Sequence, residues 1–237
     1  FPGILFGVLA FVLKEPARTT AAANDVNYSP TDWKRLLTNP IFILLCVGYS
    51  LFGLATNSIS IWGAVFISRV HTIDIPTYGF WAGVLTFAAG IPATLFAGAI
   101  ADWFKAKGFG RMAFGVLLCL VSVPLWIAVL FSSNFYVIVP AGFLLLFTGL
   151  GWVGAAAADV TEIAGVNLRG LGVAMFFFAV NVGSYLIGSN LVGILSDKFG
   201  STAEPKMLSY ALLVCPAACV AGAVLLFFGN RKMKASA

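Results

Sequence analysis

Charged residues are scarce in this sequence, and several long stretches contain none. Only 10% of the 237 residues are charged, 60% are hydrophobic, and the mean hydropathy is +0.99. This balance excludes a water-soluble globular protein and indicates an integral membrane protein. The uncharged stretches cover residues 1–13, 36–68, 75–101, 112–158, 170–196 and 207–230.

Groups that support catalysis are also lacking. The single histidine, His71, lies in a predicted loop beside Arg69 and Asp74, and no predicted span carries a carboxylate or base near its middle. A serine or cysteine nucleophile needs such a neighbour, so we do not expect an enzyme. Glutamine is absent, and few amides lie deep in the spans, so the expected cargo is largely apolar rather than a sugar.

The four cysteines give no sign of a disulfide or a metal site. Cys46, Cys119, Cys215 and Cys219 all fall inside predicted spans, where cysteine behaves as a small apolar residue. Cys215 and Cys219 share a helix face, but their span has no His, Asp or Glu to complete a metal site. We therefore expect no metal and no cofactor.

The lengths of the uncharged stretches predict how often the chain crosses a bilayer. About 20 apolar residues cross as a helix, and residues 112–158 hold two crossings divided at Ser132-Ser133-Asn134. Six spans are predicted, at residues 41–68, 78–101, 112–131, 135–158, 170–195 and 207–229. Residues 1–13 are too short to cross alone and are expected to be the end of a truncated transmembrane helix.

The basic residues indicate which side of the membrane each loop faces. The net charge of +5 and pI of 9.1 are compatible with nucleic-acid binding, but basic residues of membrane proteins collect in cytoplasmic loops. One side would hold Arg69, Lys198 and Lys206. The other would hold Lys14, Arg18, Lys34, Arg35, Lys105, Lys107, Arg111, Arg169, Arg231, Lys232 and Lys234. This asymmetry predicts cytoplasmic termini, in a bacterial inner membrane or a plasma membrane, and no nucleic-acid partner.

The polar stretch before the spans ends in a predicted short helix. Ser29 can cap it, Pro30 suits its first position, and Trp33, Leu36 and Leu37 share one face. This pattern predicts a helix lying on the cytoplasmic membrane surface, although a solvated linker would also accommodate it. The expected organisation is a linker at 14–40, a six-helix bundle at 41–230 and a cytoplasmic tail at 231–237.

Four of the six spans carry a stripe of polar or small residues at helical spacing, whereas spans 112–131 and 207–229 carry almost none. Because polar side chains inside a bilayer face other helices or water, the four stripes predict a central aqueous pathway with two outer supporting helices. Hydrogen bonding between helices is the alternative. The predicted cargo-binding residues are Asn57, Ser60, Thr86, Thr148, Trp152, Asn181 and Tyr185.

Charged residues collect instead at the predicted cytoplasmic ends of the spans. Such clusters can pair across helices in one conformation and separate in another, which biases a gate. Solvated helix ends are the alternative. The predicted gating residues are Asp102, Lys105, Lys107, Arg111, Asp159, Glu162 and Arg169. A carboxylate at this mouth is expected to stay hydrated.

The turn from Gly98 to Arg111 resembles the cytoplasmic signature of the major facilitator superfamily, with Asp102 as the matching acid. A linker and six spans with both ends inside resemble the C-terminal half of that twelve-helix fold. The runs Gly48–Phe52 and Trp62–Arg69 resemble the seventh helix of spinster-type transporters. Trp33-Lys-Arg-Leu-Leu and Ser196-Asp197 also agree with these transporters.

The resemblance implies an all-α membrane protein that pairs with an N-terminal six-helix half and works by alternating access. It also implies a small amphipathic cargo of the sphingolipid or lysophospholipid class, contact with membrane lipids, and coupling to protons. A major facilitator transporter of drugs or small organic anions is the alternative, and a channel or receptor subunit is a second one. Since no span holds a titratable group at its middle, the coupling carboxylate is expected in the other half, or else at Asp159 or Glu162.

Overall fold

The computed structural model describes residues 32–201 and 203–236, and every regular element in these ranges is a helix. The predicted truncated helix at 1–13 and most of the predicted linker, including Ser29 and Pro30, lie outside the described residues. The helices are α1 (Asp32–Thr38), α2 (Pro40–Val70), α3 (Ile75–Ala106), α4 (Arg111–Phe131), α5 (Phe135–Asn181), a π-helix (Val182–Gly188), α6 (Ser189–Lys198), α7 (Met207–Ala211) and α8 (Val214–Ser236).

Three of the long helices begin at a side chain that caps their free backbone N–H groups. The Asn39 side chain accepts hydrogen bonds from the backbone of Ile41 and Phe42 at the start of α2. Asp74 accepts from Thr77 at the start of α3. Asn134 does the same at the start of α5. These short polar side chains fix where each span begins after its loop.

Helix α5 is a hairpin rather than one rod. The stretch Phe135–Lys198 has 64 residues, and as a straight helix it would be about 96 Å long, three times the thickness of a hydrocarbon core. Gly165 interrupts it with φ 71° and ψ 176°. The ring centroids of Trp152 and Phe176 lie 6.3 Å apart across the two arms, whereas a straight helix would separate them by about 36 Å.

The hairpin brings the number of crossings within the described residues to six, as the sequence predicts. Five stretches of the described residues are long and apolar enough to span a membrane, and one of them is the hairpin stretch. We refer to residues 135–164 as the first arm and 166–181 as the second arm. The second arm continues through the π-helix into α6, which completes the fifth crossing.

The last crossing differs in detail from the predicted span at 207–229. It breaks between α7 and α8, because Pro216 has no N–H to donate to the carbonyl of Leu212. That carbonyl accepts a hydrogen bond from Cys215 instead. At its other end α8 continues to Ser236. Part of the predicted tail, including Arg231 and Lys234, is therefore helical.

Small residues set how closely the helices pack, as expected where lipid removes the hydrophobic driving force. Helix α8 lies along α2, where Gly222 approaches the backbone carbonyl of Gly48. Helix α4 packs against both α8 and α5. Helix α3 faces the first arm through buried alanines at four-residue spacing, which are Ala89, Ala93, Ala97 and Ala101. The spans without polar stripes, α4 and α8, thus pack together and support the others.

Candidate transport pathway and gate

A small polar junction joins α2 to the fifth crossing. Asn57 Nδ2 donates to Ser184 Oγ at 3.1 Å, and the Tyr185 hydroxyl donates to Asn57 Oδ1 at 3.1 Å. Ser184 is buried and donates to the Val180 carbonyl, while Asn57 is half-buried and Tyr185 is exposed. The junction therefore has a buried anchor and an accessible edge, and it can exchange its internal hydrogen bonds for bonds to a ligand.

The backbone at this junction is a π-helix. Gly183 lies against Ser50 and Gly188 against Leu54, so closely that an added Cβ at either glycine would collide with α2. A π-helix widens the turn and breaks the regular bonding pattern, and such segments occur often at functional sites. Asn181 precedes it on an exposed face, donating to the Phe177 carbonyl of its own helix.

Two further predicted residues, Ser60 and Thr86, lie apart from the junction. Both are exposed, and both line a cavity of about 710 Å³ between α2, α3, α4 and the first arm. Asn57, Asn181 and Tyr185 thus lie on α2 and the fifth crossing, while Ser60 and Thr86 face the cavity.

Thr148 and Trp152 occupy the interior of the bundle instead. The Thr148 hydroxyl is hydrogen bonded to the Ser122 hydroxyl of α4 at 3.0 Å, and both groups are buried. The Trp152 ring is buried and stacks on Tyr49 with a centroid distance of 5.1 Å. Helical spacing alone placed both residues on a pathway face. Spacing cannot distinguish a face turned to water from a face turned to a neighbouring helix, because both faces point away from lipid.

The charged residues at the opposite end form an ion-pair network. Arg111 Nε donates to Asp102 Oδ1 at 2.7 Å, and Arg111 Nη1 donates to Glu162 Oε2 at 3.1 Å. Lys105 donates to the same Glu162 oxygen. The network joins the end of α3, the start of α4 and the first arm. Lys107 and Arg169 are exposed, with no ion pair to either among the described residues.

Asp159 lies directly behind this network and is almost completely buried. Only 1% of its surface is exposed, and its Oδ2 has no hydrogen-bond partner within residues 32–201 and 203–236. Arg111 and Lys105 attract its charge, whereas Glu162 and Asp102 repel it. The expectation of a hydrated carboxylate therefore holds for the exposed Glu162 but is wrong for Asp159, because the first arm turns Asp159 inward, one helical turn from Glu162.

Sequence reasoning missed several of these contacts. Ser184 lies in the same stripe as Tyr185, so the spacing could have identified it as a site residue. Ser122 could not be found in this way, because it is an isolated polar residue in a span without a stripe. The aromatic cavity wall, which includes Trp62 and Trp126, carries no polar pattern that a helical periodicity would detect.

Comparison with known proteins identifies the fold. The sequence model of the Organic Anion Transporter Polypeptide family matches residues 13–138. Protein spinster homolog 1 of Xenopus tropicalis is 25% identical over 244 residues, which cover 88% of this chain and 44% of the frog protein.

Two crystal structures of a bacterial homolog to the human lysosomal transporter Spinster superpose on the chain. The inward-facing, unoccupied structure has a TM-score of 0.75 at 15% identity, covering 97% of this chain and 57% of that one. The inward-facing, occupied structure has a TM-score of 0.72 at 18% identity, covering 97% and 56%.

The chain spans about half the length of these relatives. Its six crossings have the arrangement of the spinster-type structures, which confirms the predicted half of a major facilitator fold. The family match extends over more than half of the sequence. The protein therefore belongs to the Organic Anion Transporter Polypeptide family and has the fold of spinster-type major facilitator transporters.

Proposed function

We propose that this chain is the C-terminal half of a secondary transporter that moves an amphipathic, lipid-like molecule by alternating access. The polar junction of Asn57, Ser184 and Tyr185 carries this proposal. It offers neutral donors and acceptors within the uncharged stretches 36–68 and 170–196, and such a surface suits a cargo with few polar groups. The cargo class proposed is the sphingolipid or lysophospholipid class, and no enzymatic step is proposed.

The proposed partner is an N-terminal six-helix half. Helix α3 is buried on its alanine side only, and its other sides expose large apolar side chains. These include Phe80, Trp81, Phe87, Leu95 and Phe96. A second bundle and membrane lipids would cover this surface. The helix ends that carry the Arg111 network face the cytoplasm in this proposal, in a bacterial inner membrane or a plasma membrane.

The Arg111 network is proposed as a gate. It links three segments at one end of the bundle, and its ion pairs are partly exposed, so they can break at modest cost. Alternating access requires contacts that hold in one conformation and separate in the other. Lys107 and Arg169 would contribute only through other conformations.

Proton coupling is proposed to depend on a carboxylate of the partner half, with Asp159 as the alternative. Asp159 is shielded from water and its Oδ2 has no hydrogen-bond partner in the part of the chain that the structure describes, so it can gain one when the network opens. The test is uptake driven by an imposed pH gradient in proteoliposomes that contain the full-length transporter. Asp159→Asn alone should leave the gradient dependence intact. If Asp159→Asn abolishes the dependence of uptake on the pH gradient and Glu162→Gln retains it, the coupling site is Asp159.

The cargo class is tested by uptake of a radiolabelled lysophospholipid into the same proteoliposomes. Asn57→Ala removes both hydrogen bonds of the junction and Tyr185→Phe removes one, and each variant should lower uptake at least about three- to tenfold. Asn190→Ala is the matched control, because Asn190 lies on the same crossing but donates to the backbone carbonyl of Leu186 one turn earlier and not to α2. Uptake equal to that of protein-free vesicles, or equal loss in all three variants, would contradict the proposal.

An organic anion is the second candidate cargo, and the family match favours it. Binding such a cargo needs a cation in the pathway to replace water around the charge. The residues that form the junction and line the 710 Å³ cavity include no Lys or Arg. A cation would therefore have to come from the partner half. Uptake of a radiolabelled sulfated steroid that unlabelled lysophospholipid does not inhibit would establish the anion as cargo.

A further inference from the structure

The end of α8 lies against the loop that leads into the gate. Helix α8 continues to Ser236, past the end of the predicted span at residue 229. Residues 107–110 join α3 to α4 and run directly into Arg111, the cation at the centre of the ion-pair network. The conformation of this loop therefore decides where the Arg111 side chain can reach.

Helix α4 begins differently from α2, α3 and α5. Those three helices begin at an Asn or Asp side chain that accepts from their free N–H groups, whereas α4 begins at Gly110, which has no side chain to cap it. Gly110 has φ 84°, a left-handed conformation that glycine adopts without strain. An uncapped helix start is less stable than a capped one. The first turn of α4, which carries Arg111, therefore needs support from another element.

Asn230 of α8 supplies this support with both ends of its amide group. Its Nδ2 donates a hydrogen bond to the backbone carbonyl of Phe109 at 2.8 Å. Its Oδ1 lies against Gly110, where an added Cβ would have to displace it. One side chain of α8 thus holds the two residues that immediately precede Arg111.

Two further contacts of α8 flank this hydrogen bond. Lys234, one turn further along α8, has its Nζ 5.9 Å from the ring centroid of Phe109. On the other side, the sulfur of Met112 lies 3.2 Å from the position that a Cβ at Gly229 would take. The end of α8 therefore contacts α4 and its loop both before and after Arg111.

We propose that Asn230 is a positioning residue for the gate, which holds the start of α4 where Arg111 can reach both Asp102 and Glu162. The inference rests on the gate of the proposed function and adds to it a helix that supplies none of the three printed ion pairs. A displacement of the end of α8 would move the Phe109–Gly110 backbone and weaken the ion pairs of Arg111. The C-terminal helix thus sets how firmly the gate closes.

The conformational ratio of the full-length transporter tests this role, measured by the labelling rates of single cysteines at both mouths. Asn230→Ala removes the hydrogen bond to Phe109 and should shift the ratio towards the inward-open state about two- to fivefold, in the same direction as Asp102→Asn. Arg231→Gln is the matched control, because Arg231 is the next residue of α8 and is exposed. Unchanged rates in Asn230→Ala would overturn the proposal.

A double-mutant cycle separates positioning of Arg111 from a general loosening of the bundle. If Asn230 acts through Arg111, its removal matters less once the Asp102 charge is gone. The shift that Asn230→Ala adds to Asp102→Asn should therefore be smaller than the shift it causes in the parent protein. Additive shifts would overturn the proposal, because the two residues would then act independently.

Hydrogen exchange of the same transporter in nanodiscs reports on the loop without any transport. Amides of residues 107–114 should exchange about two- to fivefold faster in Asn230→Ala, whereas those of the Asp74-capped start of α3 should not change. Unchanged exchange at 107–114 would refute the positioning role.

Failure of this inference is distinguishable from failure of the proposed function. Shifted labelling in Asp102→Asn, with unchanged labelling in Asn230→Ala, refutes the positioning role alone, and unchanged labelling in both refutes the gate as well. Faster exchange and shifted labelling in Asn230→Ala, together with no lysophospholipid uptake by the parent protein, leave the positioning role standing and refute the cargo class.

Discussion

Arg111 Nε lies 2.7 Å from Asp102 Oδ1, and this pair joins the end of α3 to the first turn of α4. The Arg111 side chain is only 18% exposed, whereas that of Asp102 is largely in solvent. The guanidinium also reaches Glu162 on the first arm. One cation therefore bridges two acids from different helices. Replacing either acid should weaken the contact between these helix ends.

Asp102→Asn should shift the transporter towards its inward-open state and slow transport without preventing folding. The variant removes a charge from a mostly exposed pair, so the expected effect is about 0.5–1 kcal/mol, or a two- to fivefold change in the conformational ratio. The measurement is the labelling rate of single cysteines at both mouths of the full-length transporter. Arg231→Gln, which removes an exposed charge at the same end of the bundle but outside the network, should leave these rates unchanged. Identical rates in both variants would contradict the gate.

Gly222→Ala should destabilise the bundle. A Cβ at Gly222 would lie 2.9 Å from the carbonyl oxygen of Gly48, a backbone atom that cannot rotate away. Separating α8 from α2 to relieve this contact should cost about 1–3 kcal/mol. Thermal unfolding in detergent measures the loss.

The matched control for this substitution is Gly170→Ala, where nothing lies within 4 Å of the added Cβ. There the better helix propensity of alanine should preserve or raise the melting temperature. Equal melting temperatures for the two variants would show that the close approach of α2 and α8 does not limit stability.

His71 should make stability depend on pH at the other end of the bundle. Its ring contacts Phe66 and Phe135, and burial lowers the pKa of His71 below its ordinary value. The folded state therefore prefers neutral histidine, and the unfolded state binds a proton more readily. The stabilisation is complete above about pH 6.5 and decreases as the pH falls below it.

Melting temperatures between pH 7.5 and 5 measure this effect, with His71→Phe as the comparison. The variant keeps the aromatic contacts and removes the titration, so its melting temperature should fall less on acidification. The neighbouring Arg69 and Asp74 remain in both proteins and cancel from the comparison. A steeper fall in His71→Phe than in the parent would contradict the assignment.

Much of the fold follows from hydropathy and loop composition. The six crossings and their order were predictable because uncharged stretches of helix length are separated by charged or turn-forming residues such as Asp102 and Arg111. The reversal at Gly165 was also predictable in outline, since charged residues from Asp159 to Arg169 mark a break between spans. The joining of both spans into one continuous hairpin was not predictable, because it depends on the backbone conformation of a single residue, Gly165.

The candidate site was predictable only in part. Asn57 and Tyr185 could be paired in principle, because each lies in a polar stripe. The structure places the Tyr185 hydroxyl 3.1 Å from Asn57 Oδ1. The π-helix that sets their register has no signal in residue spacing. Thr148 and Asp159 show the limit of the method. Periodicity identifies a face that avoids lipid, but which neighbour covers that face is decided by the packing of other helices.

The labelling pattern of Tyr185→Cys tests the central claim that the Asn57–Tyr185 junction lies in an alternating pathway. The four cysteines of this chain are all buried, so they contribute little background, and any cysteines of the partner half are first replaced by serine. In the full-length transporter, a membrane-impermeant maleimide should label Cys at this position from either side, and saturating lysophospholipid should slow both reactions. Phe227→Cys, an exposed position on α8, should stay unlabelled. Labelling from neither side, or at the same rate as at position 227, would contradict the account.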